Sequence, residues 1–169
     1  QRCNYSIACS LPDYANRIPK TQWGDSYDDD YRLCVRKMLN QGGERTLIGA
    51  IIPPKAEHIN GIFGMNLSSH LISFASNVFS VPFDFFLKST GKANINYSAS
   101  AGFPILENWT YQYKAICRAL LLNCVNTYYK DLWKREFDLR FKQERWMKED
   151  PRLDNSKFMN LDYDWGGNT

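Results

Sequence analysis

The stretch Glu44-Arg-Thr-Leu-Ile-Gly-Ala-Ile-Ile-Pro-Pro54 contains the clearest strand signal in the chain. Residues 45–52 form a short apolar run rich in β-branched side chains, and Pro53-Pro54 ends it. Because the run is apolar at successive positions, we expect both of its faces to be buried. A second strand is predicted over residues 61–67, after a loop over residues 55–60. The two strands are expected to pair near the middle of a sheet.

A helix is predicted upstream, over residues 30–41. Asp30 can cap it, apolar residues recur at helical spacing from Tyr31 to Leu39, and Gly42-Gly43 can end it. This helix would carry Arg32, Arg36 and Lys37.

Downstream, Ser68 and Ser69 can cap a helix over residues 70–87, which Pro82 should kink or divide. The segment 89–101 is small and polar, which predicts a loop with a short strand at residues 95–97. Residues 109–141 contain neither proline nor glycine and repeat apolar residues every three to five positions, which predicts one long amphipathic helix.

The predicted fold class is therefore α/β (α+β), a small mixed sheet with packed helices, followed by the long helix. The predicted division is an α/β domain over residues 1–107, a helical extension over 108–145 and a loosely packed, extended tail over 146–169. The chain begins with Gln1 and ends at Thr169 without a stopping signal, so we expect it to be part of a longer polypeptide.

The composition excludes several classes of protein. The 169 residues carry a net charge of only +3, so a nucleic-acid surface would have to be a local patch. The longest apolar stretch, residues 71–87, is interrupted by polar residues and predicts no membrane segment. The five cysteines include no C-x-x-C pair, which favours free thiols and a reducing cytoplasm over a metal or disulfide framework. We interpret the four glycosylation sequons as chance occurrences, since no signal peptide precedes them.

Catalytic motifs are also missing from the sequence. It contains no G-x-G-x-x-G, no P-loop and no G-x-S-x-G. It also lacks the acid-x-Lys triplet of many nucleases and the Asn/Asp-Pro-Pro-Tyr/Phe tetrapeptide of amino-methyltransferases. The two histidines, His58 and His70, stand apart from any nucleophile, and Asp28-Asp29-Asp30 is most simply a solvated turn before a helix cap. We therefore expect no catalytic residue, metal or cofactor in this chain.

Basic and amide residues suggest contacts with nucleic acid. Arginine and asparagine can bind base edges, and lysine favours phosphates. A solvated surface is the more common explanation of such groups. The candidate DNA-binding residues are Arg36, Lys37, Glu44, Arg45, Thr46, Lys55, His58, Lys88, Lys92, Asn94 and Asn96.

The block from Glu44 to Pro54 resembles the specificity region of bacterial adenine-specific DNA methyltransferases, including the fused type IIG restriction-methylases and related phage-defence methylases. Their recognition domain is similar to the TaqI-type C-terminal specificity domain. Supporting stretches are Tyr31-Arg-Leu-Cys-Val-Arg36, Phe83-Asp-Phe-Phe-Leu87, Asn94-Ile-Asn-Tyr97 and Phe103-Pro-Ile105. Further similarity follows at Arg118 to Cys124, Tyr129 to Trp133, Trp146 and Asp150 to Leu153. The chain departs from the common pattern at Gly49, where the family usually has alanine.

The resemblance implies a modular parent enzyme. An upstream catalytic domain would bind S-adenosylmethionine and flip the adenine, and this chain would select the sequence in double-stranded DNA. Glu44, Arg45 and Thr46 would then lie near the groove at the entrance of the strand, facing Lys92, Asn94 and Asn96. A buried structural role is the alternative for Arg45.

Two further alternatives concern the whole chain. It could be a structural or protein-interaction module, in which the aromatic helix docks a partner. It could also be a self-contained enzyme such as a nuclease, which the missing motifs disfavour.

Overall fold

The computed structural model describes residues 6–106 and 110–164. These residues combine a three-stranded sheet with short helices, which confirms the α/β fold class. The elements are α1 (Leu11–Arg17), β1 (Arg32–Arg36), β2 (Gly49–Ile52), β3 (Ile62–Met65), α2 (Leu71–Val78), α3 (Val81–Ser89), α4 (Tyr97–Ser100), α5 (Gln112–Asn123), α6 (Lys130–Glu136) and α7 (Ser156–Met159), with 3₁₀ turns at Ser68–His70, Thr127–Tyr129 and Leu139–Gln143.

The sheet is antiparallel and has the order β2-β1-β3. The two strands predicted from the sequence therefore do not pair with each other, because β1 lies between them. Leu33 is opposite Ile51 of β2 on one side and Met65 of β3 on the other. No parallel pairing occurs among the described strands, so the sheet is not mixed.

The central strand β1 replaces the helix predicted over residues 30–41. Its residues 32–35 are all buried, since Leu33 and Val35 join the hydrophobic core and Arg32 and Cys34 are covered on the opposite face. The spacing of Tyr31, Val35 and Leu39 fits a helix, but the alternation through Leu33 fits a strand equally well. Packing on both faces decides between them.

Strand β2 is shorter than predicted and lies at an edge of the sheet. Ala50 and Ile48 are exposed, so the expectation that both faces are buried was wrong. Thr46 and Leu47 do not join the ladder, because their backbone N–H groups donate to Asp84 of α3 instead. The β2 edge is also occupied by helical side chains. The Ile51 N–H donates to Asn123 Oδ1 at 2.8 Å, and the Ile51 carbonyl accepts from the Tyr129 hydroxyl at 2.9 Å.

The predicted break at Pro82 is confirmed. Helix α2 ends at Val78, Ser80 caps α3 by accepting from Phe83 N, and Pro82 occupies the first turn of α3. Ser68 and Ser69 form a 3₁₀ turn instead of the predicted cap. Within the described ranges no single helix could cross a membrane, although the bent pair Ser68–Val78 and Val81–Ser89, at 81°, meets the criteria of length and composition.

The loop that follows α3 also differs from the prediction. Asn94 forms an isolated bridge with Met38, and the expected strand at residues 95–97 is replaced by the start of α4.

The single long helix predicted over residues 109–141 was wrong. Helix α5 ends at Asn123, and Asn126 then caps a new turn by accepting from Tyr128 N. After α6, Asp138 caps the next turn by accepting from Arg140 N. Asn and Asp side chains compete with the helix backbone in this way, so the absence of proline and glycine does not ensure continuity. The predicted start at Trp109 lies outside the described residues.

The tail is packed as far as Asp164, contrary to the expected loose arrangement. Phe158 of α7 is buried against Trp146, with ring centroids 5.1 Å apart. The Trp133 Nε1–H donates to the Asp162 carbonyl at 2.7 Å. The segment 165–169 lies outside the described residues.

One hydrophobic core includes residues from both sides of the boundary predicted at residue 107. Helix α5 packs on α2, and Leu120, Leu132 and Phe141 share the core with β1. The Tyr31 hydroxyl donates to the Tyr128 carbonyl at 2.7 Å. The helical part is thus joined to the sheet by buried contacts.

Candidate nucleic-acid interface

Three loops meet at the end of the sheet where β1 finishes and β2 and β3 begin. The Lys37 N–H donates to the Gly61 carbonyl at 2.9 Å, and the Lys37 carbonyl accepts from Ile95 N at 2.8 Å. Leu39 N donates to the Ala93 carbonyl at 2.8 Å. These backbone bonds fix the segments after β1, before β3 and after α3 against one another.

The side chains at this end are mostly basic or amide. The Lys37 ammonium donates to Asn60 Oδ1 at 3.0 Å, and the Lys88 ammonium donates to the Gly43 carbonyl at 2.8 Å. Arg36, Lys92 and Asn94 are exposed. We refer to these six residues as the loop surface: Arg36, Lys37, Asn60, Lys88, Lys92 and Asn94.

No cation of the loop surface has a carboxylate within 4 Å among residues 6–106 and 110–164. Elsewhere in the described residues, eight of the sixteen arginines and lysines form ion pairs with carboxylates. The uncompensated charge therefore makes this end of the sheet a local positive patch, although the whole chain carries only +3.

The structure thus brings together five of the predicted site residues, Arg36, Lys37, Lys88, Lys92 and Asn94. Asn60 was not among them, and its position in the predicted loop beside His58 was the only signal for it. Glu44 is exposed on the neighbouring loop. Asn96 is adjacent, but its Oδ1 caps α4 by accepting from Ala99 N at 2.9 Å.

Arg45 and Thr46 have mainly structural contacts. The Arg45 guanidinium lies 3.5 Å from the Asp84 carboxylate and donates to the Phe79 carbonyl. Thr46 is buried, and its hydroxyl donates to the Asn40 carbonyl. The structural alternative for Arg45 accounts for these contacts.

Lys55 lies at the opposite end of the sheet, away from the loop surface. Its ammonium is 2.6 Å from Asp29 Oδ1 and 3.4 Å from Asp28 Oδ2. The hydrogen bond between Lys55 and Asp29 lowers the pKa of Asp29 and raises the pKa of Lys55. The run Asp28-Asp29-Asp30 is therefore an ion-paired turn, because Asp30 in turn lies 3.3 Å from the Arg135 guanidinium.

His58 folds back over the middle of β3. A Cβ atom at Gly64 would lie 2.7 Å from both His58 Nε2 and the Tyr27 hydroxyl, and 3.5 Å from Cys34 Sγ. The other ring nitrogen, Nδ1, is 3.2 Å from the Ile59 carbonyl. His58 thus contributes to the cover over β3.

Arg32 was expected on the predicted helix but is fully buried in β1. Its Nη2 donates to the Ala56 carbonyl, and its guanidinium lies 5.0 Å from the centroid of the Tyr27 ring. Its Nε and Nη1 have no hydrogen-bond partner among the described residues. The strand alternation of Arg32, Cys34 and Arg36 is the signal that places it on the covered face.

Metal binding and thiol chemistry are two further functions that His, Cys, Asp and Glu side chains could support. In the described part of the chain no three His, Cys, Asp or Glu side chains are arranged to hold a metal ion. Cys9, Cys34, Cys117 and Cys124 are free thiols. Burial raises the pKa of Cys34 to about 11, and it raises the pKa values of Cys117 and Cys124 to about 12. Cys3 lies outside the described residues.

A separate apolar groove lies between α5 and α7. Its volume is about 870 Å³, and its lining is mainly apolar, with the polar residues Arg118, Lys157 and Asn160 beside Leu121, Leu122, Trp146, Phe158 and Leu161. We refer to it as the α5–α7 groove. Leu122 is 71% exposed there, which is unusual for a leucine on an amphipathic helix.

Comparison with known proteins found no matching family model, no similar curated protein and no similar solved structure.

Proposed function

We propose that this chain is the DNA sequence-recognition part of an adenine-specific restriction-modification methyltransferase, and that the loop surface is its contact with double-stranded DNA. The observation that carries the proposal is the convergence of three loops that present cations without carboxylate partners. Phosphates would bind these cations, and the neighbouring amides would face base edges.

The sequence resemblance supports the finer part of this proposal. The block from Glu44 to Pro54, which resembles the specificity region of these methyltransferases, forms β2 and the loop that precedes it. In the proposed arrangement, a separate catalytic domain of the same polypeptide supplies S-adenosylmethionine and methyl transfer. This chain makes no bonds itself and acts in the cytoplasm.

Salt dependence of DNA binding tests the loop surface. Fluorescence anisotropy with a 30-base-pair duplex should show that the affinity falls steeply between 50 and 200 mM KCl. In a plot of the logarithm of the binding constant against the logarithm of the salt concentration, each phosphate contact should contribute about 0.9 to the downward slope. Arg36→Ala and Lys92→Ala should each reduce that slope by about 1. Lys148→Ala is the matched control, because Lys148 is also exposed but lies far along the chain. Absence of binding, or an equal effect of Lys148→Ala, would contradict the proposal.

Sequence selection needs the intact parent enzyme. Exchange of this region for the corresponding region of a methyltransferase with a different target should change the methylated sequence. Sequencing of modified bases in cells that express each hybrid provides the measurement. An unchanged target after the exchange would remove the recognition role.

A protein-interaction module is the second candidate, and the α5–α7 groove favours it. A partner seated in the groove would cover Leu122. If this is the main function, Leu122→Glu should abolish association with the catalytic domain in analytical ultracentrifugation, while methylation by the intact enzyme keeps its target sequence.

A further inference from the structure

Two exposed apolar residues are adjacent in sequence to members of the loop surface. Met38 and Ile59 are each 60% exposed. Met38 follows Lys37 and forms the bridge with Asn94, and Ile59 precedes Asn60, whose side chain accepts from Lys37. The contact between Lys37 and Asn60 therefore places Met38 and Ile59 on neighbouring loops.

The amide beside them is free to bind a ligand. The Asn94 side chain is exposed and forms no hydrogen bond with the described residues, since its bridge to Met38 is made by the backbone. An asparagine amide can donate and accept at the same time. The adenine edge in the major groove presents the matching pair, an N7 acceptor and an N6 donor.

The apolar side chains match the other half of the same base pair. Thymine presents a 5-methyl group in the major groove, and this is the apolar feature by which an A·T pair differs from the other base pairs. A phosphate-binding patch alone would gain nothing from Met38 and Ile59. Met38 follows a lysine and is bridged to Asn94, and Ile59 precedes an asparagine, which fits a surface that reaches base edges while lysines bind the flanking phosphates.

We propose that Met38 and Ile59 contact thymine methyl groups and that the Asn94 amide binds the paired adenine, so that the loop surface reads A·T pairs in the major groove. This inference rests on the proposed function, because it requires that the loop surface binds DNA. It goes further by naming the base pair and the side chains that select it.

Three duplex polymers test the inference without knowledge of the target sequence. They are alternating poly(dA-dT), its poly(dA-dU) counterpart without the 5-methyl group, and alternating poly(dG-dC). The full chain should bind the first more tightly than the second by about fourfold, the value for one buried methyl group. It should bind poly(dG-dC) more weakly still.

The double variant Met38→Ala/Ile59→Ala should bind poly(dA-dT) and poly(dA-dU) equally while it keeps the salt dependence of the unmodified chain. Both side chains are exposed, so the variant should fold, and circular dichroism melting checks this. Met147→Ala is the matched control, since Met147 is 99% exposed and lies in a different part of the chain. It should preserve the preference for thymine. If the double variant melts early, the two single variants replace it.

The outcomes separate this inference from the function on which it rests. Equal binding of the unmodified chain to poly(dA-dT) and poly(dA-dU) would overturn the role of Met38 and Ile59 and leave DNA binding intact. If the double variant still binds poly(dA-dT) more tightly than poly(dA-dU), the role of Met38 and Ile59 is likewise overturned. Failure to bind any of the three polymers would overturn the proposed function and this inference together.

Discussion

Asp84 organises the segment that precedes β2. Its Oδ1 accepts from the backbone N–H groups of Thr46 and Leu47 at 2.9 and 2.5 Å, and its Oδ2 lies 3.5 Å from Arg45 Nε. The carboxylate is buried, so these bonds replace water. One side chain of α3 thus fixes three consecutive residues that the sequence assigned to a strand.

The substitution Asp84→Asn should destabilise the protein. Asparagine keeps the size but lacks the charge, and its amide would place a donor against backbone donors or lose one bond. We expect a loss of about 1–3 kcal/mol in the free energy of unfolding, measured by urea denaturation. Asp162→Asn, at an exposed carboxylate, is the control and should change little. Equal effects of the two substitutions would contradict the structural role of Asp84.

The buried thiols should react only after unfolding. Burial raises the pKa of Cys34 to about 11 and that of Cys117 to about 12, so at pH 8 both are protonated as well as inaccessible. Iodoacetamide labelling with peptide mapping should modify Cys9, which is partly exposed, well before either of them. Addition of urea above the unfolding midpoint should equalise the rates. Fast labelling of Cys117 in the native state would show that α5 does not pack on the core as described.

At the level of elements, the sequence predicted the break at Pro82 but missed the breaks after Asn123 and Glu136. Pro82 divides α2 from α3 as expected, because proline cannot continue a helix in mid-course. Strand β3, Ile62–Met65, lies within the strand predicted over residues 61–67. Strand β1 was predicted as a helix from the spacing of its apolar residues, and the cover of Arg32 by Tyr27 and Ala56, which favours a strand, exists only in the tertiary structure.

The residue types of the candidate site could be predicted from the sequence, but which residues come together could be predicted only in part. Basic and amide residues can be found in the sequence, but their grouping depends on which strand ends coincide. The segments that carry Lys37 and Lys92 are joined by backbone hydrogen bonds beyond the end of β1, an arrangement that the predicted helix would not allow. Lys55 looked equivalent to them, yet the antiparallel arrangement carries it to the opposite end and pairs it with Asp29.

Strand β3 leaves no space for a side chain at position 64 unless His58 and Tyr27 move. A Cβ atom there would approach His58 Nε2 and the Tyr27 hydroxyl to 2.7 Å, which is closer than carbon normally packs. Gly64→Ala should therefore displace both side chains and destabilise the protein by about 1–3 kcal/mol. Gly61→Ala is the matched control, because its nearest atom within 4 Å would be Ile59 Cδ1, at 4.0 Å. Thermal melting of both variants should show a lower Tm for Gly64→Ala alone, and similar values would contradict this packing.

At the scale of the whole molecule, Glu144 joins the C-terminal segment to α5. Its carboxylate lies 2.7 Å from Arg118 Nη1 and 3.0 Å from Lys114 Nζ. The Arg118 guanidinium also packs over the rings of Trp146 and Phe158. This group of contacts holds α7 and the preceding turn against the rest of the protein.

The Glu144 ion pairs should make stability depend on pH. Burial raises the pKa of Glu144, but hydrogen bonds from Arg118 and Lys114 outweigh burial and lower it below its usual value. Since the folded pKa is the lower one, the stabilisation is complete above the unfolded value of about 4.3 and is lost as the pH falls through the folded value.

Glu144→Gln should accordingly cost about 1–3 kcal/mol at pH 7 and less at pH 3. Urea denaturation at several pH values between 3 and 7 measures the difference. Glu149→Gln, at an exposed carboxylate nearby, is the control. A cost that stays constant over this range would show that the ion pairs do not carry the effect.

The occupied edge of β2 affects how copies of this chain can associate. At Ile51 both backbone groups that an added strand would need are already bound by Asn123 and Tyr129. A strand from another molecule therefore cannot pair at that residue, and strand-to-strand polymerisation through β2 is blocked by two helical side chains. In the described sheet this leaves the β3 edge, through which two copies can pair, but such a pair has no open edge for a third copy and cannot grow into a fibre.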